Sequence, residues 1–153
     1  MKNKKIKELI QHHQLAMEKE STACYPSEAC GFIIASETES EFIPCENLQD
    51  KMHAYDPETF PRDSKTAYYI SPKKFMDSMK QGEKTGKKIS VIFHSHPDHE
   101  AYFSEEDQKA AQLDGEPVYP DIVHHVISIK QGVPDTSKTF CWNNSLKEFN
   151  EMS

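Results

Sequence analysis

The sequence predicts an α/β domain in which a mixed β-sheet is flanked by helices. Short runs rich in β-branched and aromatic residues, which are typical of strands, are interspersed with amphipathic segments that have helical spacing. The two kinds of segment do not alternate strictly, and this favours a mixed sheet over a purely parallel one. The length of 153 residues fits a single domain, residues 1–153, with one hydrophobic core.

The first part of the chain is predicted to form a helix, two strands and a loop. Residues 5–20 carry apolar side chains near helical spacing. An apolar run at residues 29–35 and a weak alternation at residues 41–45 are typical of strands. Residues 46–66 are polar and contain two X–Pro pairs, so we predict a long loop there. A loop of this length in a compact domain is either a functional flap or disordered.

The rest of the chain begins with a short predicted strand at residues 67–70. Ser71 and Pro72 then supply an N-cap and a first-turn proline, which predict a helix that ends near Gly82. The remaining predicted elements are, in order, a buried strand at residues 89–93, a helix from Ser104 to about Leu113, strands at residues 122–129 and 139–142, and a short helix from Ser145.

The charge balance argues against nucleic-acid and membrane partners. The chain has 18 Lys and Arg against 25 Asp and Glu, a net charge of −7, whereas nucleic-acid binders carry a basic surface. No apolar run approaches the ~20 residues of a membrane helix, and the N-terminus lacks the apolar region of a secretory signal. We therefore expect a cytoplasmic protein that binds neither nucleic acid nor membrane.

The cysteines and two of the histidines are predicted to have structural roles. The four cysteines lack C-x-x-C spacing, so we expect reduced, mostly buried thiols rather than disulfides or a structural zinc site. His124 and His125 are adjacent in a predicted strand, so one should face the core and the other should face away from it. We expect a structural role for both.

The segment His94-Ser95-His96-Pro97 directly follows the predicted buried strand. Side chains two residues apart in a strand point to the same face, so His94 and His96 can bind one metal ion. Pro97 should stop the strand at a sheet edge, where a cleft can form. Asp107, on the next predicted helix, would add a carboxylate oxygen, which leaves the fourth position of a zinc ion for water. Water bound to zinc has its pKa lowered to about 7 and is a nucleophile at neutral pH.

Each half of this motif also has a purely structural interpretation. Two histidines on a strand can simply be polar residues of an edge. Ser104 followed three residues later by Asp107 resembles a helix N-cap with an acidic third residue. We do not expect one oxygen of Asp107 to serve both the cap and a metal ion, whereas Ser104 can cap the helix and still face the site.

Taken together, the pattern H-S-H-P-x6-S-x-x-D resembles the signature of the JAMM (MPN+) zinc peptidases, also called prokaryotic JAB domains. Residues 25–32 (YPSEACGF) resemble the opening strand of that family, and the resemblance covers about residues 6–142. It implies a JAMM/MPN fold with a three-layer arrangement like that of the cytidine deaminases, although the deaminase pattern H-x-E with P-C-x-x-C is absent. It also implies a set of roles: zinc ligands His94, His96 and Asp107, general base Glu28, and Ser104 as the hydrogen-bond donor to the oxyanion.

The same resemblance implies hydrolysis of an amide bond with one Zn²⁺ per chain and a catalytic water. Family members with the full motif cleave isopeptide or peptide bonds after the tail of ubiquitin-like β-grasp proteins, which usually ends in Gly-Gly. The expected partner is therefore such a protein or its conjugate, and residues 47–66 are the candidate segment for covering its tail. The leaving group (lysine, cysteine or peptide) and the oligomeric state stay open.

Two other functions are compatible with the same residues. Residues 25–32 and 43–47 also resemble the JAMM domain of phage tail-tip proteins, which acts on cell-wall or tail peptides, whereas residues 116–121 resemble the stand-alone bacterial enzymes. A non-catalytic scaffold of the wider family would lack the metal ligands, and here every position of the motif is filled. We therefore favour a deconjugating or processing peptidase.

Overall fold

A computed structural model describes residues 3–153 of the chain. These residues form four helices and eight strands. In chain order the elements are α1 (Asn3–Cys24), β1 (Cys30–Ala35), β2 (Ser40–Cys45), α2 (Gln49–Tyr55), α3 (Pro72–Lys84), β3 (Lys88–Pro97), α4 (Glu105–Ala110), β4 (Gln112–Leu113), β5 (Glu116–Pro117), β6 (Val123–Lys130), β7 (Val133–Asn143) and β8 (Glu148–Glu151).

Six of the strands form one mixed sheet in the order β2-β1-β3-β6-β7-β8. Neighbouring strands are antiparallel except β3 and β6, which run parallel in the middle of the sheet. A parallel pair needs a long crossover connection, and α4 with the small β4–β5 hairpin lies within it. The predicted fold class, a mixed sheet with flanking helices, is confirmed.

Helices cover both faces of this sheet. On one face, Ile10 and Met17 of α1 share a buried cluster with Phe93 of β3. On the opposite face, Phe75 of α3 meets Phe32 of β1 edge-on, with ring centroids 5.1 Å apart. A strand that is buried on both faces reads as a continuous apolar run, which is why β1 has the sequence CGFIIA instead of an alternating pattern.

Most of the predicted helices and strands are confirmed, and several are longer than their patterns indicated. α1 extends to both sides of residues 5–20, and β7 begins six residues before residue 139. α3 begins at Pro72, where Ser71 Oγ accepts a hydrogen bond from the backbone N–H of Lys74 at 3.3 Å. β3 continues through the His-Ser-His-Pro motif to Pro97, so the motif lies within the strand.

The segment between β2 and α3 differs from the prediction. The predicted loop at residues 46–66 contains the helix α2, and residues 67–70 are not a strand. The N–H of Tyr69 donates to Asn47 Oδ1 at 3.0 Å, and its carbonyl accepts from the N–H of Leu48 at 2.9 Å. These contacts occupy the backbone groups of Tyr69 that pairing with a strand would need.

Two helix predictions in the second half of the chain are also corrected. α4 ends at Ala110 because the chain then turns into the β4–β5 hairpin, where Gly115 has a φ of 78°. The short helix predicted from Ser145 is instead a turn that leads into β8. Trp142 of β7 lies opposite Phe149 of β8, with ring centroids 5.2 Å apart, and this cross-strand aromatic contact favours the strand over a helix.

Within residues 3–153, every helix is too short or too polar to span a bilayer. The longest, α1, has 22 residues and carries charged side chains along its length.

Candidate metal centre

The centre is built on the carboxyl end of β3. His94 and His96 lie two residues apart on one face of that strand, and His94 is paired with Cys30 of β1 and Val126 of β6. β3 is therefore an interior strand, and the prediction that Pro97 brings the rings to a sheet edge is wrong. Pro97 is still within the sheet, paired with Ile129 of β6.

A cleft forms there because β1 begins at Cys30, opposite His94, and leaves the last residues of β3 without a strand on that side. The N–H of Ser95 points to that side and donates to Ala29 O at 3.0 Å. Pro97, two residues later, directs its nitrogen to the same side, where no strand needs a donor. The proline thus fits the end of an interior strand.

Three ligand atoms converge at this point. His94 Nε2, His96 Nε2 and Asp107 Oδ2 each lie 3.2 Å from the other two. A tetrahedral ion with bonds of about 2.0–2.1 Å holds its ligands roughly 3.3 Å apart. Both imidazoles are buried, and nitrogen with carboxylate oxygen is a donor set that zinc accepts. The residues therefore fit a zinc ion in spacing and in chemistry.

Asp107 is held in this position by the first turn of α4. Ser104 Oγ accepts from the N–H of Asp107, and Asp107 Oδ2 accepts from the N–H of Ser104, both at 3.0 Å. Oδ2 is also the oxygen that faces the two imidazoles, so the expectation that the cap and the metal site require different oxygens is wrong. A carboxylate oxygen has more than one lone pair and can accept from both directions.

The charge state of Asp107 follows from its neighbours. Burial alone would raise the pKa of Asp107. The charge and hydrogen bonds of His94 and His96 outweigh that cost and hold the pKa of the carboxyl well below its usual range. Asp107 is therefore an anion, which is the form that binds a cation.

The second ring nitrogens of the two histidines have different environments. His96 Nδ1 donates to the carbonyl of Glu100 at 2.9 Å, which leaves Nε2 with its lone pair toward the centre. His94 Nδ1 is buried and has no hydrogen-bond partner among the described residues. The ring of His94 instead stacks on Tyr68, with centroids 4.6 Å apart and planes 24° apart. Packing therefore orients His94, whereas a hydrogen bond orients His96.

Glu28 lies just before β1 and is buried. Its backbone N–H donates to Ser64 O at 2.7 Å, and its carbonyl accepts from Asn47 Nδ2 at 2.9 Å. The carboxylate oxygen Oε1 is buried without a hydrogen-bond partner within residues 3–153. Burial raises the pKa of Glu28 well above its usual value, and the charge of Asp107 raises it further, against a lowering by Arg62. An unpaired carboxylate of raised pKa beside a metal centre can accept a proton.

Two serines belong to the same centre. Ser104 is half-buried, and because its Oγ accepts from the N–H of Asp107, its hydroxyl hydrogen stays available to another acceptor. Ser95, inside the His-Ser-His-Pro motif, is fully buried, and its Oγ accepts from the N–H of Ala29 at 2.8 Å. Ser95 thereby joins β3 to the residue that follows Glu28.

A cleft of about 480 Å³ adjoins the centre. One wall is α4, including Glu106 and Asp107, and the other is the segment that follows α2, including Phe60, Arg62 and Tyr68. Of the residues predicted for the site, His94, His96 and Asp107 converge, Ser104 bonds Asp107, and Glu28 is close enough for the charge of Asp107 to raise its pKa. The sequence analysis did not identify Asn47, Tyr68 and Ser95 as residues of the centre. Of the three, only Ser95 could have been found from the sequence, because it lies within the His-Ser-His-Pro motif.

The adjacent histidines of β6 point to opposite faces of the sheet, and both are buried because helices and loops cover both faces. His124 packs against Phe103 and Phe149, and burial lowers its pKa to about 3. His125 donates from Nε2 to Gln14 Oε1 and accepts at Nδ1 from the Thr139 hydroxyl, and burial lowers its pKa to about 4. The expectation that one of them faces away from the core is therefore wrong.

All four cysteines are free.

Comparison with known proteins gives a family and a fold. The family model described as prokaryotic homologs of the JAB domain matches residues 11–143. No curated protein sequence is significantly similar to the chain. The solution structure of a protein from Desulfitobacterium hafniense is similar, with 21% identity, a TM-score of 0.67, and coverage of 93% of this chain and 86% of the other.

Two further solved structures are similar to the chain. A protein from Salinibacter ruber has 18% identity and a TM-score of 0.58, with coverage of 90% of this chain and 83% of the other. A JAB1/MPN domain protein from Archaeoglobus fulgidus has 16% identity and a TM-score of 0.46, with coverage of 91% and 90%. The similarity to the Desulfitobacterium and Salinibacter structures supports the fold alone.

Proposed function

The chain belongs to the family of prokaryotic homologs of the JAB domain, and from this membership we propose that it is a zinc-dependent peptidase. The reaction is hydrolysis of the amide bond that follows the C-terminal tail of a ubiquitin-like β-grasp protein. One observation carries the proposal: three ligand atoms lie 3.2 Å apart, and the charge of one of them, Asp107, acts on the buried Glu28, whose Oε1 has no hydrogen-bond partner within residues 3–153. A structural zinc site would have four protein ligands and no need for that carboxylate.

His94 Nε2, His96 Nε2 and Asp107 Oδ2 would hold the ion. When bound, zinc supplies Lewis-acid activation of a water molecule and of the scissile carbonyl. The capping box of α4 and the carbonyl of Glu100 fix two of the three ligands before any ion arrives. Preorganisation of this kind keeps the ligand geometry from relaxing when charge develops.

Glu28 is the general base of this proposal. Its Oε1 accepts a proton from the attacking water as the water oxygen bonds to the carbonyl carbon. The same carboxyl then gives that proton to the leaving amine as the carbon–nitrogen bond breaks. Its raised pKa suits the first step, because a carboxylate with a raised pKa accepts a proton more readily than an ordinary one.

Ser104 is the proposed donor to the developing oxyanion. Its hydroxyl hydrogen has no acceptor among the described residues, and its Oγ is fixed by the hydrogen bond from Asp107. Loss of one donor to an oxyanion typically costs about 10²–10³ in turnover. Ser104 therefore has two separable roles, one in capping α4 and one in the cleft.

The proposed substrate, an extended tail that ends in Gly-Gly, follows from the resemblance to family members with the full motif, and the cleft between the segment after α2 and α4 would hold it. A tail without side chains at its end can approach a narrow centre closely. The net charge of −7 favours a partner that presents basic residues. A phage tail-tip type of peptidase would use the same centre on cell-wall or tail peptides.

The experiment is a substrate trap with Glu28→Gln, which should keep zinc and lose turnover. The variant is used as bait in a lysate of the source cell, and the bound material is identified by intact mass. Glu41→Gln, an exposed position on β2, is the matched control and should behave as the wild type. A small β-grasp protein retained by Glu28→Gln and shortened or released by the wild type would support the proposal.

Other results would count against it. Retention of cell-wall or tail peptides would favour the phage type of activity. A purified wild type that contains no zinc, and takes up none when zinc is added, would indicate a non-catalytic scaffold.

A further inference from the structure

The side chain of Asn47 makes four hydrogen bonds in the loop between β2 and α2. Nδ2 donates to the carbonyls of Glu28 at 2.9 Å and Ala67 at 3.1 Å. Oδ1 accepts from the N–H of Gln49 at 2.9 Å and of Tyr69 at 3.0 Å. A primary amide has two donor hydrogens and two lone pairs, so this side chain is fully satisfied.

Three of the four bonds reach two different parts of the centre. One donor holds the backbone of Glu28, the proposed general base. The other donor and one acceptor bond hold Ala67 and Tyr69, the residues on either side of Tyr68. Tyr68 in turn stacks on the ring of His94. A single amide therefore connects the backbone of the base to the aromatic ring that covers a ligand.

We propose that Asn47 is a positioning residue of this centre, which sets the place of the Glu28 carboxylate relative to the His94 ring. Its catalytic consequence rests on the proposed peptidase function, whereas its effect on the Glu28 and Tyr69 backbones does not. The Glu28 carboxylate has an Oε1 without a hydrogen-bond partner in the described part of the chain, so its backbone and packing must hold it in place. Asn47 bonds the carbonyl side of that backbone, and Ser64 accepts from its N–H.

An ordinary turn residue would not need all of these bonds. An Asn that closes a turn uses its oxygen to accept from an N–H two residues later, as Asn47 does from Gln49. Asn143 does this as well, with its Oδ1 accepting from Ser145 and Leu146. The bonds from Asn47 Nδ2 go to residues that are distant in the chain, and together with the bond from Tyr69 they reach the centre.

The comparison of Asn47→Asp with Asn143→Asp separates the positioning of the centre from the closing of a turn. Asp keeps the acceptor oxygen and the shape of Asn, but it lacks the Nδ2 donors. For Asn47→Asp we expect kcat to fall by about tenfold or more, with KM changed less than about twofold, because only the reacting groups are displaced. Zinc content should remain near one per chain. Asn143→Asp should retain kcat and KM.

A second readout does not depend on activity. Hydrogen exchange of the Ala29 amide, measured by NMR, should be about tenfold faster in Asn47→Asp, because this N–H belongs to the same peptide group as the Glu28 carbonyl, which loses its hydrogen bond. The Tyr69 amide should stay protected in Asn47→Asp and lose protection in Asn47→Ser, whose side chain is too short to reach it. If Asn47→Asp does not fold, Asn47→Ser replaces it in these measurements, because serine also lacks the Nδ2 donors.

A double mutant tests whether Asn47 acts through Glu28. In a Glu28→Gln background, Asn47→Asp should lower the residual turnover less than about twofold. An unchanged kcat in Asn47→Asp, or an equal loss in both backgrounds, would overturn the proposal. If the wild type hydrolyses no substrate, the peptidase proposal fails, and the exchange of the Ala29 and Tyr69 amides decides the structural part alone.

Discussion

The phenol ring of Tyr68 lies nearly parallel to the imidazole of His94, with centroids 4.6 Å apart and planes 24° apart. This contact takes the role that a hydrogen bond to the second ring nitrogen has for most metal-binding histidines. His94 Nδ1 has no such bond among the described residues, whereas His96 Nδ1 donates to the carbonyl of Glu100. The two ligands on one strand are therefore oriented by different forces.

Tyr68→Leu should weaken zinc binding by about tenfold, the size expected when the group that orients a ligand is lost. Tyr68→Phe retains the ring and should bind zinc within about twofold of the wild type, because stacking needs no hydroxyl. Competition with a chromophoric chelator measures both affinities. Equal losses in Tyr68→Phe and Tyr68→Leu would show that the hydroxyl, and not the stacking, matters.

Asp107→Asn separates the helix cap from the metal site. Its amide oxygen can still accept from the N–H of Ser104, so the melting temperature should change little, but loss of the negative charge should abolish stoichiometric zinc binding at micromolar zinc. Asp107→Ala should lose both zinc and about 1 kcal/mol of stability. Zinc analysis by mass spectrometry and thermal unfolding with a chelator measure the two effects. Retention of zinc by Asp107→Asn would remove Asp107 from the ligand set.

Ser104→Ala should lower kcat by about 10²–10³ while the zinc content is retained, because a donor to the oxyanion is lost. It should also cost ~1 kcal/mol of unfolding free energy, since Ser104 caps α4. Ser71→Ala is the matched control, because Ser71 caps α3 in the same way and is not part of the centre. It should reproduce the loss of stability and keep the activity. Similar kinetics in the two variants would contradict the role of Ser104.

The stability of the protein should fall as the pH decreases from about 6.5 toward 4, partly through His125. Its pKa is lowered to about 4 by burial, so the unfolded chain takes up its proton at a higher pH than the folded chain. Stability is therefore retained above pH ~6.5 and lost through this window, by an amount on the order of 2–3 kcal/mol at about 1.4 kcal/mol per pKa unit.

His125→Gln tests this contribution, because Gln does not titrate and can still bond Gln14 or Thr139. Urea unfolding with a chelator present, from pH 4 to 8, should show a smaller loss of stability in this variant than in the wild type. The chelator removes the separate effect of acid on zinc binding. Parallel pH profiles for the two proteins would rule out His125 as a source of the loss.

The sequence predicted much of this fold and of the candidate centre, and the reasons are local. Ser71 with Pro72 marked the start of α3, and the spacing of His94, His96 and Asp107 indicated the ligand set. Residues 67–70 were predicted as a strand because they have strand-like composition, but the side chain of Asn47 and the backbone of Leu48 occupy the backbone groups of Tyr69. Nothing in the local pattern signals such a contact across about 20 residues.

The sequence by itself determined which residue types are available as ligands, base and oxyanion donor, because the periodicity of a strand and the cap of a helix depend only on neighbouring residues. Only the tertiary structure decided that Glu28 keeps an oxygen unpaired among residues 3–153, that Ser95 ties β3 to Ala29, and that Tyr68 covers His94. Burial, pKa and ring stacking arise from segments that are distant in the chain. These properties therefore exist only once β1, β3 and the segment after α2 are packed together.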